Sequence, residues 1–262
     1  MPEGDTLVRI ATALAPVLEG QPVLALALPH SPQRVAHLVG RCVKRVEARG
    51  KNLLVFFDEG SVLHTHLRMA GEWHLYRTEE RWQRAPEQAV VVLEVPGHLA
   101  VCFRAPLVRV MRVDELRTDP LFAQLGPDLL GEGFNAAEAV RRLRARGDVA
   151  LGVAIMDQRA VAGIGNVYKS ELLFRARLDP FAQVNAFTDE ELLGLFALAR
   201  EVLQESVAPR AGGVRMQRPI AVYGRVGRPC PDCGEAVKVR RQGEEQRSTY
   251  HCARCQPRRD AL

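Results

Sequence analysis

Two stretches of this 262-residue sequence hold residue types that can do chemistry. The first is the start, Met1-Pro2-Glu3-Gly4-Asp5-Thr6. Removal of the initiator Met1 leaves the secondary amine of Pro2 with the carboxylate of Glu3 beside it. An α-amino group titrates near ~7.7–8.0, so a useful fraction is neutral and nucleophilic near neutral pH, whereas a lysine at ~10.4 needs burial to become so. Chain starts are ordinarily loose ends, and a Met-Pro start alone carries little meaning. The second stretch holds Cys230-Pro-Asp-Cys233 and Cys252-Ala-Arg-Cys255, two C-x-x-C pairs with eighteen residues between them. Each pair can give two thiolates to one tetrahedral ion, and four sulfurs leave no open position, so a zinc held here is structural and not catalytic. Disulfides are the competing reading, but a reducing compartment disfavours them. Cys42 and Cys102 sit in apolar strand patterns and read as ordinary buried thiols.

The elements that position these groups follow from periodicity. TLVRIATALAPVLE, residues 6–19, spaces Leu7, Ile10, Leu14, Val17 and Leu18 as an amphipathic helix, with Asp5 and Thr6 as caps. From about residue 22 to 116 the pattern turns to short β segments, among them VLALAL, RCVKRVEA, NLLVFF, SVLHTHL, AVVVLEV and LAVCF, broken by turn residues. Six or more such strands imply a sandwich or barrel, ending near residue 125. After LGPDLLGEGF the period returns to 3.6 through NAAEAVRRLRARG, GVAIMDQ, NVYKSELLFRAR and TDEELLGLFALAREVLQESV, giving a helical unit over 135–208 that stops at Pro209, Gly212 and Gly213. Between the cysteine pairs, KVRR and QRSTYHC joined by QGEE suit a β-hairpin with Arg247 and Tyr250 on its return strand. Such a hairpin can present guanidinium groups to phosphate, bind protein, or merely staple the tail.

Composition narrows the classes. The apolar share of 47% and charged share of 26% are those of a globular chain. No apolar run reaches the ~20 residues of a membrane span and no secretory leader is visible, so the expected location is cytoplasmic, with no membrane partner. Residues 209–262 carry twelve Lys and Arg against five Asp and Glu, so the excess behind the overall net charge of +5 lies in the tail that also holds the cysteines.

Taken together, Pro2-Glu3-Gly4, Gly50-Lys51 before a strand, MDQRAVAGIGNVYKSELLF (156–174), VYGRVGRPC (222–230) and QRSTYHCARCQ (246–256) resemble the family of formamidopyrimidine-DNA glycosylase and endonuclease VIII, over nearly the whole chain. The resemblance implies an α+β multidomain chain: a catalytic N-terminal β-sandwich with a flanking helix (1–125), a helix-two-turns-helix DNA-binding domain (126–215) and a zinc-finger β-hairpin (216–262). It implies excision of oxidised bases and strand cleavage, with damaged DNA as partner, one structural Zn2+ and no organic cofactor; one active site in so small a chain gives no reason to expect assembly, so a monomer is expected. Pro2 would attack the sugar C1′, giving a cationic iminium that acidifies the C2′ proton for β- and then δ-elimination. Glu3 would shuttle the proton as the sugar ring opens. Lys51 would contact a phosphate and assist proton transfer; a lone lysine in a turn would otherwise be merely solvated. Met69, beside Arg68 in HLRMAGEW, would wedge into the stack vacated by the extruded nucleotide, where an apolar residue otherwise reads as core. Asn166 and Arg247 would grip phosphates, and Cys230, Cys233, Cys252 and Cys255 would hold the zinc.

The match has departures. Formamidopyrimidine-DNA glycosylases carry Asp-Pro-Arg-Arg-Phe-Gly where this chain has FRAPLVRVM, residues 103–111, and the start reads MPEGDT. Both favour the endonuclease VIII branch, hence oxidised pyrimidines over 8-oxoguanine. Arg68-Met69-Ala70 offers little bulk for filling the stack, which keeps open an abasic-site lyase with weak base excision. A non-catalytic DNA-binding zinc ribbon and a tautomerase-like use of the terminal proline are the readings from other classes.

Overall fold

The computed structural model describes residues 2–208 and 220–259, so Met1 and the break at Pro209, Gly212 and Gly213 lie outside the described residues. The chain divides into two compact units, Met1–Gln124 and Leu125–Leu262.

The first unit opens with α1, Gly4–Leu18. The helix starts two residues before the expected Thr6, and its cap is neither Asp5 nor Thr6. Glu3 is the cap: its carbonyl accepts from Thr6 N at 2.9 Å and its own N–H donates to Thr6 Oγ1 at 3.4 Å. Asp5 lies in the first turn because Arg9, four residues on, holds it at 2.9 Å. Eight strands follow: β1 (Ala25–Ala27), β2 (Val43–Arg49), β3 (Asn52–Phe57), β4 (Ser61–His66), β5 (Glu72–Arg77), β6 (Ala89–Val95), β7 (His98–Phe103) and β8 (Leu107–Arg112). They form two antiparallel four-stranded sheets, ordered β1-β6-β7-β5 and β2-β3-β4-β8. Leu53, Val55, Phe57, Leu63, Val91, Leu93 and Ala100 fill the space between the sheets together with Leu7, Leu14 and Leu18 of α1. This is the expected sandwich with a flanking helix.

Every residue of β3 is buried. A strand buried on both faces loses its alternation, and the reason lies in two short helices, α2 (Val113–Thr118) and α3 (Pro120–Ala123). They close the outer face of the sheet, where Leu54, Phe56, Val62, Met111 and Leu116 make a second small core with Val113 and Phe122. The stretch 103–111 is mostly strand: β7 ends at Phe103, β8 begins at Leu107, and only Arg104, Ala105 and Pro106 connect them. Of the two thiols read as buried, Cys102 is fully so in β7, while Cys42 precedes β2 and is partly exposed.

The second unit holds α4 (Ala136–Arg144), α5 (Leu151–Ala154), α6 (Asn166–Arg175) and α7 (Asp189–Val207), then the hairpin of β9 (Lys238–Gln242) and β10 (Arg247–His251). α7 begins at a reciprocal cap, Glu191 N donating to Thr188 Oγ1 at 3.3 Å and Thr188 N to Glu191 Oε2 at 2.8 Å. GVAIMDQ makes a single helical turn, not a longer helix. The hairpin docks beside it, with Gln242 Nε2 donating to the Pro180 carbonyl at 2.8 Å. A Cβ on Gly152 would stand 2.9 Å from that same carbonyl oxygen, so only glycine fits at this crossing.

Candidate active site and metal centre

Three features of the first unit link the start of the chain to the turn that carries Lys51. The far end of α1 is tied to the start of β2: Gly20 N donates to the Val43 carbonyl at 2.8 Å, Val43 N to the Gln21 carbonyl at 3.0 Å, and Val46 N to Glu19 Oε1 at 2.8 Å. From there α1 packs back along β2. Fifteen helical residues rise about 22 Å and seven strand residues about 23 Å, so the two elements match in length, and β2 leads from the tied end to the turn into β3. Glu3 is 0% exposed, and Pro2 beside it is partly exposed. The start is not a loose end; its backbone is fixed by the helix it caps.

The β2–β3 connection has two residues, Gly50 and Lys51, between the paired Arg49 and Asn52. Gly50 has φ 57°, the value a glycine supplies at the first central position of a II′ hairpin turn. Asn52 pairs across with His66 at the end of β4, so the next turn, Leu67 to Gly71, lies at the same edge of the sheet. Burial lowers the His66 pKa, and the nearby charges of Lys51 and Arg68 lower it further. The charges of Lys51 and Arg68 therefore both act on one imidazole. Arg68 takes the left-handed φ of 47°, its N–H donating to His66 Nδ1 at 3.2 Å, and this sharp turn thrusts Met69 outward to 69% exposure. Met69 is thus a projecting apolar side chain and not a core residue. Lys51, Arg68 and Met69 belong to this edge, and Pro2 and Glu3 lie in the same unit at the start of the helix that packs on β2.

In the second unit Gly165 caps α6 and Asn166 begins it. Gln158 braces the preceding glycines, accepting from Gly163 N at 3.1 Å and donating to the Ile164 carbonyl at 3.0 Å, with Gly163 at φ 109°. Asn166 is buried, and among the described residues its Oδ1 has no hydrogen-bond partner. One turn on, Lys169 Nζ donates to Thr249 Oγ1 at 2.8 Å and to the Ser248 carbonyl at 3.2 Å, while Ser170 Oγ accepts from Tyr250 N at 3.3 Å. Glu171 accepts three backbone N–H groups, of Ala221, Val222 and Tyr223, at 2.8, 2.9 and 2.7 Å. α6 therefore ties the Asn166 loop, the 221–223 segment and β10 into one piece. Lys169, Ser170 and Glu171 lie inside the NVYKSELLF block, and the sequence reading gives them no roles; the signal was three consecutive polar residues between Val167-Tyr168 and Leu172-Leu173-Phe174. Arg247 starts β10 and pairs with the exposed Glu245 at 2.6 Å.

The four cysteines converge. Cys230 Sγ lies 3.8 Å from Cys255 Sγ and Cys233 Sγ 3.4 Å from Cys252 Sγ, and all four sulfurs fall within 4.8 Å of one another. A tetrahedral site with Zn–S near ~2.3 Å needs sulfurs about 3.8 Å apart, which this cluster meets with shifts of about 1 Å or less. All six cysteines are free, so the pairs are not disulfides. Burial and the three neighbouring sulfurs push the Cys255 thiol up, a crowding that a divalent cation would reverse by neutralising the thiolates.

Comparison with known proteins agrees with both units. The formamidopyrimidine-DNA glycosylase N-terminal domain matches residues 1–107, and the formamidopyrimidine-DNA glycosylase H2TH domain matches residues 125–218. The chain is 37% identical to a probable endonuclease 8 2 of Streptomyces coelicolor, over 98% of this chain and 94% of the relative. It is 35% identical to the DNA-(apurinic or apyrimidinic site) lyase Nei2 of Mycolicibacterium smegmatis, over 98% and 99%. Among solved structures, the MutM (Fpg) protein of Thermus thermophilus superposes with a TM-score of 0.80 at 32% identity, over 97% of this chain and 98% of that one. Lactococcus lactis Fpg bound to DNA containing an AP site shares the fold, with a TM-score of 0.83 at 21% identity over 98% and 100%. Among the described residues no helix is long and apolar enough to cross a membrane. The chain belongs to the formamidopyrimidine-DNA glycosylase and endonuclease VIII family.

Proposed function

We propose that this chain is a bifunctional DNA N-glycosylase and abasic-site lyase of base excision repair, acting on oxidised bases and chiefly on pyrimidines. The observation that supports the reading is the buried Glu3 capping α1, a helix bonded at its far end to the start of β2, the strand that leads to the Gly50–Lys51 turn. Once Met1 is removed, the Pro2 nitrogen attacks C1′ of the extruded nucleotide and the bond to the base breaks, the base leaving with a proton. Glu3 delivers a proton to the ring oxygen as the sugar opens, and the nitrogen lone pair completes a cationic iminium. Loss of the C2′ proton then expels the 3′ phosphate, and a second elimination expels the 5′ phosphate. The iminium is itself the electron sink, so this chemistry calls for no organic cofactor. Lys51 holds a phosphate and assists proton transfer, Met69 and Arg68 occupy the gap in the stack, and Asn166 and Arg247 grip the backbone. Extrusion costs a few kcal/mol, which these contacts must return.

In this reading the work divides between a catalytic sandwich (1–125), a DNA-gripping helical part (126–215) and a zinc hairpin (216–262), in one monomer working in the reducing cytoplasm. Zn2+ bound by Cys230, Cys233, Cys252 and Cys255 would cross-link the two ends of the hairpin. A second reading is favoured by one specific feature: with three residues, spanning at most ~10 Å, the β7–β8 link has no length to reach into a stack. An enzyme filling the gap by Met69 alone would favour abasic or single-stranded sites over intact lesions.

The test is borohydride trapping on oligonucleotides carrying an abasic site or an oxidised pyrimidine. An adduct mapped to the N-terminal peptide, lost in Pro2→Gly and slowed in Lys51→Ala, is the expected result. Absence of any adduct from well-folded protein on every substrate would sink the lyase reading, and trapping on abasic DNA alone would favour the second reading.

A further inference from the structure

A chain of polar side chains runs beneath α2 and α3 with no part in the chemistry just described. Asp119, at the start of α3, holds Arg109 of β8 at 2.7 Å. Arg109 Nε donates to His64 Nδ1 at 3.0 Å, and His64 Nε2–H donates to Asn52 Oδ1 at 2.8 Å. Asn52 Nδ2 in turn donates to the Arg49 carbonyl at 3.0 Å. Arg49 and Asn52 are the two residues flanking Gly50 and Lys51, so the last bond closes across the turn. His64 is 0% exposed, with the Phe122 ring set edge-on 4.9 Å from it.

The pattern of bonds is internally consistent. Burial first, and then the charge of Arg109, hold the His64 pKa down to about 3, so the ring is neutral with one donor and one acceptor nitrogen. Arg109 uses the acceptor and Asn52 the donor. Further down the same outer face, Leu54, Phe56, Val62 and Met111 fill equivalent space with apolar side chains. A polar chain at this one end is not needed to bury the sheet, since apolar replacements of buried polar groups are often neutral in stability. What it supplies is direction, because hydrogen bonds fix geometry that packing leaves soft.

We infer that the chain Asp119–Arg109–His64–Asn52 is a positioning device for Lys51, anchoring the Gly50–Lys51 turn to α3 so that the ammonium is presented in one orientation. The inference rests on the role proposed for Lys51. These four residues touch no substrate and act through the turn.

The experiment is a double-mutant cycle on single-turnover cleavage of an abasic-site oligonucleotide, with binding of an uncleavable abasic analogue measured alongside. Asn52→Leu and His64→Leu are expected to slow cleavage roughly ten-fold with little change in binding, since small misplacements of a catalytic group cost rate. His64→Gln, whose amide can donate to Asn52 and accept from Arg109, should recover most of the loss. Lys51→Ala with Asn52→Leu should be no slower than Lys51→Ala alone. Multiplicative losses in the double variant, or a His64→Gln protein as slow as His64→Leu, overturn the inference and leave Lys51's role standing. A Lys51→Ala protein with the parent rate overturns both, while the Pro2 adduct still reports on the lyase reading. Should Asn52→Leu fail to fold, Asp119→Asn, which keeps the α3 cap and weakens the ion pair, enters the same cycle with the same two outcomes.

Discussion

Replacing Gly71 with alanine tests whether Met69 is held out by a rigid loop. Gly71 does not have a positive φ, so the objection to a side chain there is purely one of space. A Cβ would stand 2.7 Å from the Leu67 carbonyl oxygen and 2.8 Å from Leu67 Cα, where an unstrained contact needs about 3.4 Å or more. Neither atom moves easily: the oxygen accepts the Gly71 N–H at 2.9 Å, and Leu67 is buried in the sandwich core. Overpacking of this kind costs typically about 1–3 kcal/mol. At about 2.1 cal/mol/K of unfolding entropy per residue, the unit Met1–Gln124 carries about 0.26 kcal/mol/K, so its melting point should fall by about 4–12 °C. The paired measurement is emission from a fluorescent adenine analogue beside an abasic site, which rises on unstacking. Met69→Ala, removing a side chain that is 69% exposed, should melt within about 2 °C of the parent yet lose the unstacking signal. Gly71→Ala should lose both. A Gly71→Ala protein melting within about 1 °C of the parent would show that Leu67 yields freely, and the loop would not be the support assigned to it.

Three further outcomes are expected. Cys255→Ser, or treatment of the parent with a strong chelator, should release one Zn2+ per chain by elemental analysis and weaken abasic-DNA binding; retention of both stoichiometry and affinity would remove the metal from the scheme. Burial first, then Arg109 and His66, hold the folded His64 pKa down to about 3 from an ordinary value of about 6.5, with Asp119 opposing. Because its folded pKa is depressed, the unfolded chain binds the extra proton between those values, so stability falls as pH drops from 6.5 toward 3, by about 1.4 kcal/mol per pH unit from this group. Urea midpoints of the parent and His64→Gln from pH 7 to 4 should diverge with that sign, and parallel curves would refute it. Arg247→Ala should weaken DNA binding and reduce the slope of log affinity against log salt by about 1; an unchanged slope would mean Arg247 stays paired with Glu245 in the complex.

The cysteine cluster was legible because ligand spacing is local: two C-x-x-C pairs need no knowledge of the fold to read. The hairpin between them, the long helices and the existence of β6 were legible for the same reason. Errors arose where tertiary contacts override local pattern. α1 begins at Gly4 because Asp5 finds Arg9 and the Glu3 backbone finds Thr6, a cooperation that residue-by-residue capping preference does not weigh. The run NLLVFF reads as a strand, but its burial on both faces depends on α2 and α3, which come fifty and more residues later. His64 and Asn52 read as ordinary strand residues for that reason: their meaning comes from Arg109 and Asp119, and nothing in SVLHTHL points to either. The roles proposed for Pro2, Glu3, Lys51, Asn166 and Arg247 rest on the family resemblance, since residue type draws attention to Pro2 and Glu3 but none of the five carries a local signature stronger than its bland alternative.

The second unit explains how a metal held by the four cysteines would bear on function without touching substrate. Arg247 opens β10, and the next residues of that strand are fixed to α6 by Lys169 on the Ser248 carbonyl and Thr249 hydroxyl, and by Ser170 on the Tyr250 amide. The Ser170 hydroxyl also donates to the Asn166 carbonyl at 3.3 Å, one helical turn away. Asn166 and Arg247, the two groups proposed to grip phosphate, are therefore spaced by a single rigid helix and not by the long chain between them. That spacing holds only while β10 keeps its register against β9, and the register is clamped at the end opposite the turn, where Cys230 and Cys233 meet Cys252 and Cys255 just beyond His251. Losing the metal would free that end first and let Arg247 drift relative to Asn166. The expected effect falls on affinity and on its salt dependence, while the chemistry proposed for Pro2, in the other unit, should be left intact once DNA is bound.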